Sequence, residues 1–187
     1  EMSYGLTDSG AKLLIADEER IDRFNQIEEK LDIAIISVRA VKEHPYDSLE
    51  ALLEKATETD MPEQRPLPES DATILYTSGS TGHPKGVVSC HVNIIHALLG
   101  WELEQHCALA LLDEPPPDPP DSPATLLAVP LFHATGSHAV YLASYRHQRR
   151  IVSMYKWDVR EAAEIIENEK ITSFIAPAAM TGDLVVE

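Results

Sequence analysis

The chain predicts an α/β fold in which mostly parallel β-sheets are covered by helices, and three features carry that expectation. Strand-like apolar runs alternate with amphipathic stripes along most of its length. Two helix-opening motifs, Asp47-Ser-Leu-Glu50 and Asp158-Val-Arg-Glu161, each stand at an apolar stripe. Between them a loop of glycines and hydroxyl side chains is suspended between extended segments, as happens where strands end on such a scaffold.

In chain order, Leu13–Ile15 reads as a strand, and Ile21, Phe24, Ile27 and Leu31 form a helical stripe. Ile33–Val38 is the next strand. The capping box at Asp47 opens a helix whose Leu49, Leu52, Leu53 and Ala56 share one face. A loop from Thr59 to Asp71 leads to the strand Ala72–Tyr76, and Val87-Val88 resumes extended structure beyond the glycine loop. His91 falls at a helix start. Asp113-Glu-Pro-Pro-Pro-Asp-Pro-Pro-Asp-Ser-Pro123 can join neither sheet nor helix, and reads as a semi-rigid surface linker between two lobes, 1–112 and 124–187. Leu127 to Gly136 is an apolar strand broken at Pro130 that delivers Phe132 and His133 to a glycine-containing turn. Arg150–Met154, the segment Trp157–Glu169 with Val159, Ala162, Ala163 and Ile166 as its apolar stripe, and Ile171–Pro177 read as strand, helix and strand.

The loop Tyr76-Thr-Ser-Gly-Ser-Thr-Gly-His-Pro-Lys-Gly86 is chemically the most specific stretch. Gly79, Gly82 and Gly86 permit φ > 0 and close backbone approach, so successive N–H groups can converge on an anion. Thr77, Ser78, Ser80 and Thr81 add hydroxyl donors, and Lys85 adds a mobile positive charge. The spacing excludes a P-loop, because Lys85 follows Pro84 and precedes Gly86 rather than standing in Gly-Lys-Ser/Thr. It excludes a dinucleotide fingerprint too, because the glycines stand three and four apart. A mobile Gly/Ser linker is the bland reading, and the Pro-Lys-Gly ending between two apolar runs argues against it.

Residue for residue, the loop resembles the ATP-phosphate loop of the adenylate-forming enzymes: acyl-CoA synthetases, aryl-CoA ligases, luciferases and peptide-synthetase adenylation domains. Pro130-Leu-Phe-His133 resembles the segment that these enzymes carry about this far downstream. The segment Glu1–Asp17, with Tyr4 and Asp8-Ser-Gly-Ala-Lys12, and the strand, helix and strand after residue 150 resemble the same family, so the likeness covers essentially the whole chain. It implies parts of two mostly parallel sheets of an acyl-CoA synthetase-like N-terminal domain. The family's Tyr-Gly-x-Thr-Glu segment, hinge and small C-terminal domain have no counterpart, and Thr181-Gly-Asp183 only mimics its ribose motif. The chain is therefore expected to be an internal piece of a longer enzyme and inactive alone.

The resemblance further implies an acid–thiol ligase. It would activate a carboxylic acid, fatty or otherwise apolar, as an acyl-adenylate at the expense of ATP, then transfer the acyl group to coenzyme A. Thr77, Ser78, Gly79, Ser80, Thr81, Gly82, His83, Pro84 and Lys85 would hold the ATP phosphates, with Thr77 also assisting Mg²⁺. Lys85 and His133 would be catalytic, and His133 with Gly136 would meet the acid. An adenylation domain that loads a carrier protein, and a non-catalytic nucleotide-binding piece, are the alternatives. For a lone histidine after a strand, a structural role is the competing expectation.

Composition narrows the partners. With 44% hydrophobic residues in 187, the chain can bury a core. Its formal net charge of −16 makes nucleic acid an unsuitable partner, since phosphodiester binding needs a basic stripe. The one basic cluster, Arg146-His-Gln-Arg149-Arg150, reads as a solvated turn before a strand. No run approaches the roughly 18 to 20 apolar residues of a membrane helix. Only Cys90 and Cys107 are present, which suits a reducing, cytoplasmic setting in which the longer protein could still associate peripherally with a membrane. The eight histidines show no zinc-like spacing.

Overall fold

The alternation of strand and helix is realised as two three-stranded parallel sheets, with a two-stranded sheet carrying the glycine loop. The structure is a computed structural model that describes residues 1–57, 60–78, 82–114, 117 and 122–186. The elements are α1 (Met2–Asp8), β1 (Leu13–Ala16), α2 (Glu18–Asn25), β2 (Ala34–Ser37), β3 (Asp47–Ser48), α3 (Leu49–Lys55), β4 (Asp71–Thr77), β5 (Lys85–Cys90) and α4 (His91–Ala110). They continue with β6 (Ala124–Leu127), a π-helix (Thr135–Leu142) running into α5 (Ala143–Arg146), β7 (Arg150–Ser153), α6 (Val159–Asn168), β8 (Ser173–Phe174) and α7 (Ala178–Val186). Contacts divide the chain into two compact units, Glu1–Pro66 with Tyr76–Val87, and Leu67–Leu75 with Val88–Glu187.

In the first unit the strands lie in the order β1-β2-β3, with Ile15 opposite Ile36 and Ile36 opposite Asp47. Ala16, Ile21 and Ile35 are its buried centre, and Leu14, Phe24 and Tyr46 pack around them. Burying Ile21 contributes about 1.5–3 kcal/mol. Asp17 caps α2 by accepting from the Arg20 N–H at 3.1 Å. Glu18 accepts from the Val41 N–H at 3.0 Å and pairs with Lys42 at 2.8 Å, which holds its carboxyl below the usual range.

Two expectations are corrected here. The helix that was to carry Ile27 and Leu31 ends at Asn25, where Gln26 and Ile27 donate to the Arg23 and Phe24 carbonyls and tighten the last turn. The cap of α3 is Ser48 rather than Asp47: Asp47 is held extended against Ile36, so the first side chain free to cap is Ser48, whose hydroxyl accepts from the Ala51 N–H at 3.1 Å.

The second unit is organised around β6, which lies between β7 and β8. All four β6 residues are buried, as expected of a parallel strand covered on both faces. Asp158 caps α6 by accepting from the Arg160 and Glu161 N–H groups, each at 3.0 Å, and Ala162 of the expected stripe is wholly buried. Trp157 stacks on Phe174 at 5.8 Å and donates its indole N–H to Asp183 at 3.0 Å. The ribose-like run Thr181–Asp183 thus lies inside an ordinary helix, α7. The first N–H groups of α4 donate to Ser70 and Pro68 carbonyls. In the basic cluster Arg146, at the end of α5, pairs with Glu102, and Arg150, at the start of β7, pairs with Glu169. The strand expected from Leu127 onward lies earlier, as β6 over Ala124–Leu127, and of the expected strand Ile171–Pro177 only Ser173–Phe174 pairs, as β8. Most of 113–123 lies outside the described residues, among which no helix is long and apolar enough to cross a membrane.

If β6 is the centre of the second unit, Leu126→Ala in the native protein should cost about 2–5 kcal/mol of stability in chemical denaturation. Leu53→Ala, at a site 65% exposed, should stay within about 0.5 kcal/mol of wild type.

Candidate functional site

Strand β4 runs directly into the glycine loop and β5 leaves it, so the loop's ends are fixed by extended backbone. Gly79, Ser80 and Thr81, expected to hold phosphate, lie outside the described residues. Of the rest, Thr77 and Lys85 are brought together: the Thr77 hydroxyl donates to the Lys85 carbonyl at 3.5 Å and closes the loop's neck. Gly82 has φ of 93°, a conformation only glycine adopts without strain, so at this position the loop does need the residue the sequence supplies. Ser78, His83 and Lys85 are exposed and Pro84 is half-buried. Among the described residues no carboxylate pairs with Lys85, although this chain carries 31 acidic residues. Its ammonium is available to a mobile anion.

Helix α1, which the apolar pattern of the sequence does not mark as a helix, contributes to the same neighbourhood within the first unit. Tyr4 stacks on His83 with ring centroids 5.4 Å apart and an interplanar angle of 27°. The same ring meets Tyr76 edge-on at 6.4 Å and 78°. Tyr76 donates its hydroxyl to Asp8 at 2.7 Å, and that hydrogen bond to a carboxylate pushes the phenol above its ordinary range. Tyr4 and Asp8 stand four apart and hence on one helix face, which is the signal that could have been read.

The second unit carries His133 and Gly136. Beyond β6 the chain turns at Pro130, whose carbonyl accepts from the His133 N–H at 3.1 Å. The His133 ring is exposed and lies 5.4 Å from that of Phe132, which is 70% exposed. The chain then enters a π-helix rather than a simple turn, a rare element that recurs at functional sites. Gly136, in its first turn, is buried against the preceding backbone: a Cβ there would lie 2.3 Å from the Pro130 carbonyl oxygen and 2.6 Å from that of Val129. Gly136 therefore has a packing reason to be glycine.

A cleft of about 330 Å³ also lies in the second unit, lined by Leu98 and Trp101 of α4, Ala139 of the π-helix, Ala143 of α5, and Ile175, with His147 and Arg149 at its polar part. Glu102 beside it is paired with Arg146 at 2.7 Å, which holds its carboxyl below the usual range. Among the described residues no three histidines, cysteines or carboxylates gather as a protein-held metal would require.

Residues 1–186 match the family described as AMP-binding enzyme. The chain is 30% identical over 192 residues to a 2-succinylbenzoate–CoA ligase from Geobacillus sp. (strain WCH70), an alignment that covers 100% of this chain and 32% of that protein. It is 25% identical over 174 residues to 4-coumarate–CoA ligase 2 from Nicotiana tabacum, covering 92% of this chain and 30% of the relative. Among solved structures it is similar to the O-succinylbenzoate coenzyme A synthetase from Bacillus subtilis in complex with ATP and magnesium ion, with a TM-score of 0.70, 23% identity, and coverage of 98% of this chain and 33% of the other. A fatty acyl CoA synthetase from Mycobacterium tuberculosis gives 0.69 and 22%, covering 98% and 32%. The structural likeness shows a shared fold. The chain spans about a third of the length of the curated relatives it matches.

The packing at Gly136 generates a pair of opposite outcomes. Gly136→Ala should lower stability by about 1–3 kcal/mol, because the added methyl is driven into backbone that cannot yield cheaply. Gly100→Ala, inside α4 where a Cβ meets nothing within 4 Å, should raise it by about 0.5–1 kcal/mol. Melting of the two variants in the native protein checks the sign of each.

Proposed function

Because the chain belongs to the AMP-binding enzyme family, we propose that it is the phosphate-holding and acid-meeting part of an ATP-dependent acid–thiol ligase. A carboxylate is a poor electrophile, and joining it to AMP replaces oxide with a good leaving group. In the first step a carboxylate oxygen attacks the α-phosphorus of ATP and the bond to the β-phosphate oxygen breaks, giving acyl-adenylate and pyrophosphate. In the second the thiol of coenzyme A attacks the acyl carbonyl and AMP departs. The relatives' names, all those of CoA ligases and synthetases, favour coenzyme A over a carrier protein as acceptor.

The observation that carries this reading is the exposed Lys85 ammonium, paired with no carboxylate among the described residues, three positions after a left-handed glycine in a loop whose neck is closed by Thr77. Charge building on the departing pyrophosphate would be met by that ammonium and by the loop's hydroxyls and amides. Thr77, Ser78, Gly79, Ser80, Thr81, Gly82, His83 and Pro84 are assigned to the phosphates with it. A magnesium ion in such enzymes takes most of its ligands from phosphates and water, so a single hydroxyl, that of Thr77, fits the donor it would need from this loop. When bound, the ion neutralises phosphate charge.

His133 is assigned to the acid's carboxylate. Its exposure supports this, since a purely structural histidine would be expected inside the fold. The acid itself is proposed to be fatty or otherwise apolar, supported by the cleft of Leu98, Trp101, Ala139 and Ile175 in the unit that carries His133. The names of the relatives include aryl as well as fatty acids, and a panel of both will rank them.

In the native protein, Lys85→Ala should reduce acid-dependent exchange between pyrophosphate and ATP by about 10²–10³-fold, the range for losing one donor aimed at developing charge. His133→Ala should raise KM for the acid more than KM for ATP, with little change in melting temperature. Exchange unaffected by loss of Lys85 defeats the assignment. Equal losses toward both substrates with a lowered melting temperature return His133 to a structural role.

A further inference from the structure

We infer that Tyr4 is a positioning residue that fixes the exit of the phosphate loop, from His83 to Lys85, by stacking on His83. The inference rests on the reading that residues 77–85 hold phosphate, and it concerns residues wholly within the first unit. A glycine loop must reconcile two demands. It needs the positive φ of Gly82 to bend around an anion, and it must not spend binding energy on freezing the freedom that glycine brings.

The chain supplies the restraint on either side of that joint. Immediately after Gly82 stands His83, whose ring stacks on that of Tyr4 at 5.4 Å and 27°. Next comes Pro84, which fixes its own φ near −65° and confines His83 to extended backbone. Then comes Lys85, whose carbonyl is bonded by Thr77. From the His83 ring to the Lys85 backbone there is little free rotation left, so holding the ring holds the lysine. On the other side of the loop the same helix grips Tyr76, through the Tyr4 edge contact and through Asp8, which accepts the Tyr76 hydroxyl at 2.7 Å. One short helix thus contacts the residue that enters the loop and a residue near its exit. A fortuitous surface stack would engage one ring; here Tyr4 touches both, and the companion hydrogen bond comes from the next turn.

The test uses the native protein with Tyr4→Ala, Tyr4→Phe, His83→Ala and Lys85→Ala. Tyr4→Ala should raise KM for ATP, and weaken pyrophosphate binding in calorimetry, by about three- to tenfold, the value of one aromatic pair. KM for the acid and the melting temperature should stay at wild type. Tyr4→Phe, which keeps the ring, should restore binding, and Tyr4→Ala combined with His83→Ala should be no worse than the poorer single variant, as for residues acting through one contact. The His83 ring-proton resonances should shift when Tyr4 is removed and stay in place with phenylalanine, a readout that needs no activity. An unshifted His83 signal, or unchanged ATP and pyrophosphate affinity in Tyr4→Ala while Lys85→Ala still abolishes exchange, overturns the proposal and leaves the ligase reading standing. A general loss toward acid and ATP with a lower melting temperature also overturns it, as a structural effect. If Lys85→Ala exchanges normally, the ligase reading falls and takes the proposal with it.

Discussion

Parallel pairing constrains this chain more than any other single factor. Neighbouring parallel strands cannot be joined by a tight turn, so each must be followed by an excursion over a sheet face, and that excursion must bury one side of itself. In the first unit α2 meets the requirement with Ile21 and Phe24 over Ala16 and Ile35. In the second, β6 is paired on both edges and buried on every residue, so its one polar side chain, that of Thr125, is shut inside with the rest. Chemistry-bearing residues are thereby pushed to where strands stop. Thr77 is the last residue of β4, Lys85 the first of β5, and His133 stands in the turn beyond β6.

The backbone conformation needed at those ends explains the two glycines that matter most. Gly82 is required for its positive φ and has open space around the missing Cβ, whereas Gly136 has no room for a Cβ, which would strike the Val129 and Pro130 carbonyls. One residue type thus answers two different demands, rotation in the glycine loop and proximity at the π-helix. The consequences differ as well. Gly82 serves through the freedom it gives its own backbone, whereas Gly136 serves by letting the π-helix approach the Val129 and Pro130 carbonyls.

Much of the fold was legible because local signals and tertiary demands agree. The cap at Asp158 and the stripe through Ala162 are such a case, as are the strands β1, β2, β4 and β7. The discrepancies have different causes, and at one of them sheet pairing overrules side-chain pattern. Asp47 has the chemistry of a cap but is held extended by Ile36, and the cap passes to Ser48. Ile27 and Leu31 continue the apolar spacing of α2, yet the backbone closes at Asn25. Helix α1 escaped notice because its N-cap position, Glu1, makes no side-chain capping bond and no residue of it is buried. The bend that Gly82 gives the glycine loop was legible in the sequence, but the stacking of Tyr4 on His83 joins residues nearly eighty positions apart, and no local pattern encodes it.

His133 and His138, five residues apart beyond the same strand, stand in different surroundings. His138 is 7% exposed, and its Nδ1 lies 2.8 Å from the Ser137 hydroxyl. That hydroxyl donates its one proton to the His133 carbonyl at 2.9 Å, so the ring nitrogen is the donor in the second contact and the His138 proton is assigned to Nδ1. The buried position is thus filled by a histidine with a fixed partner. The same serine, by bonding the His133 carbonyl, anchors the backbone of the exposed histidine and leaves its ring uncommitted to the core. An exposed imidazole on an anchored backbone is what a carboxylate-orienting role requires: the peptide is fixed, and the ring is free to meet a ligand.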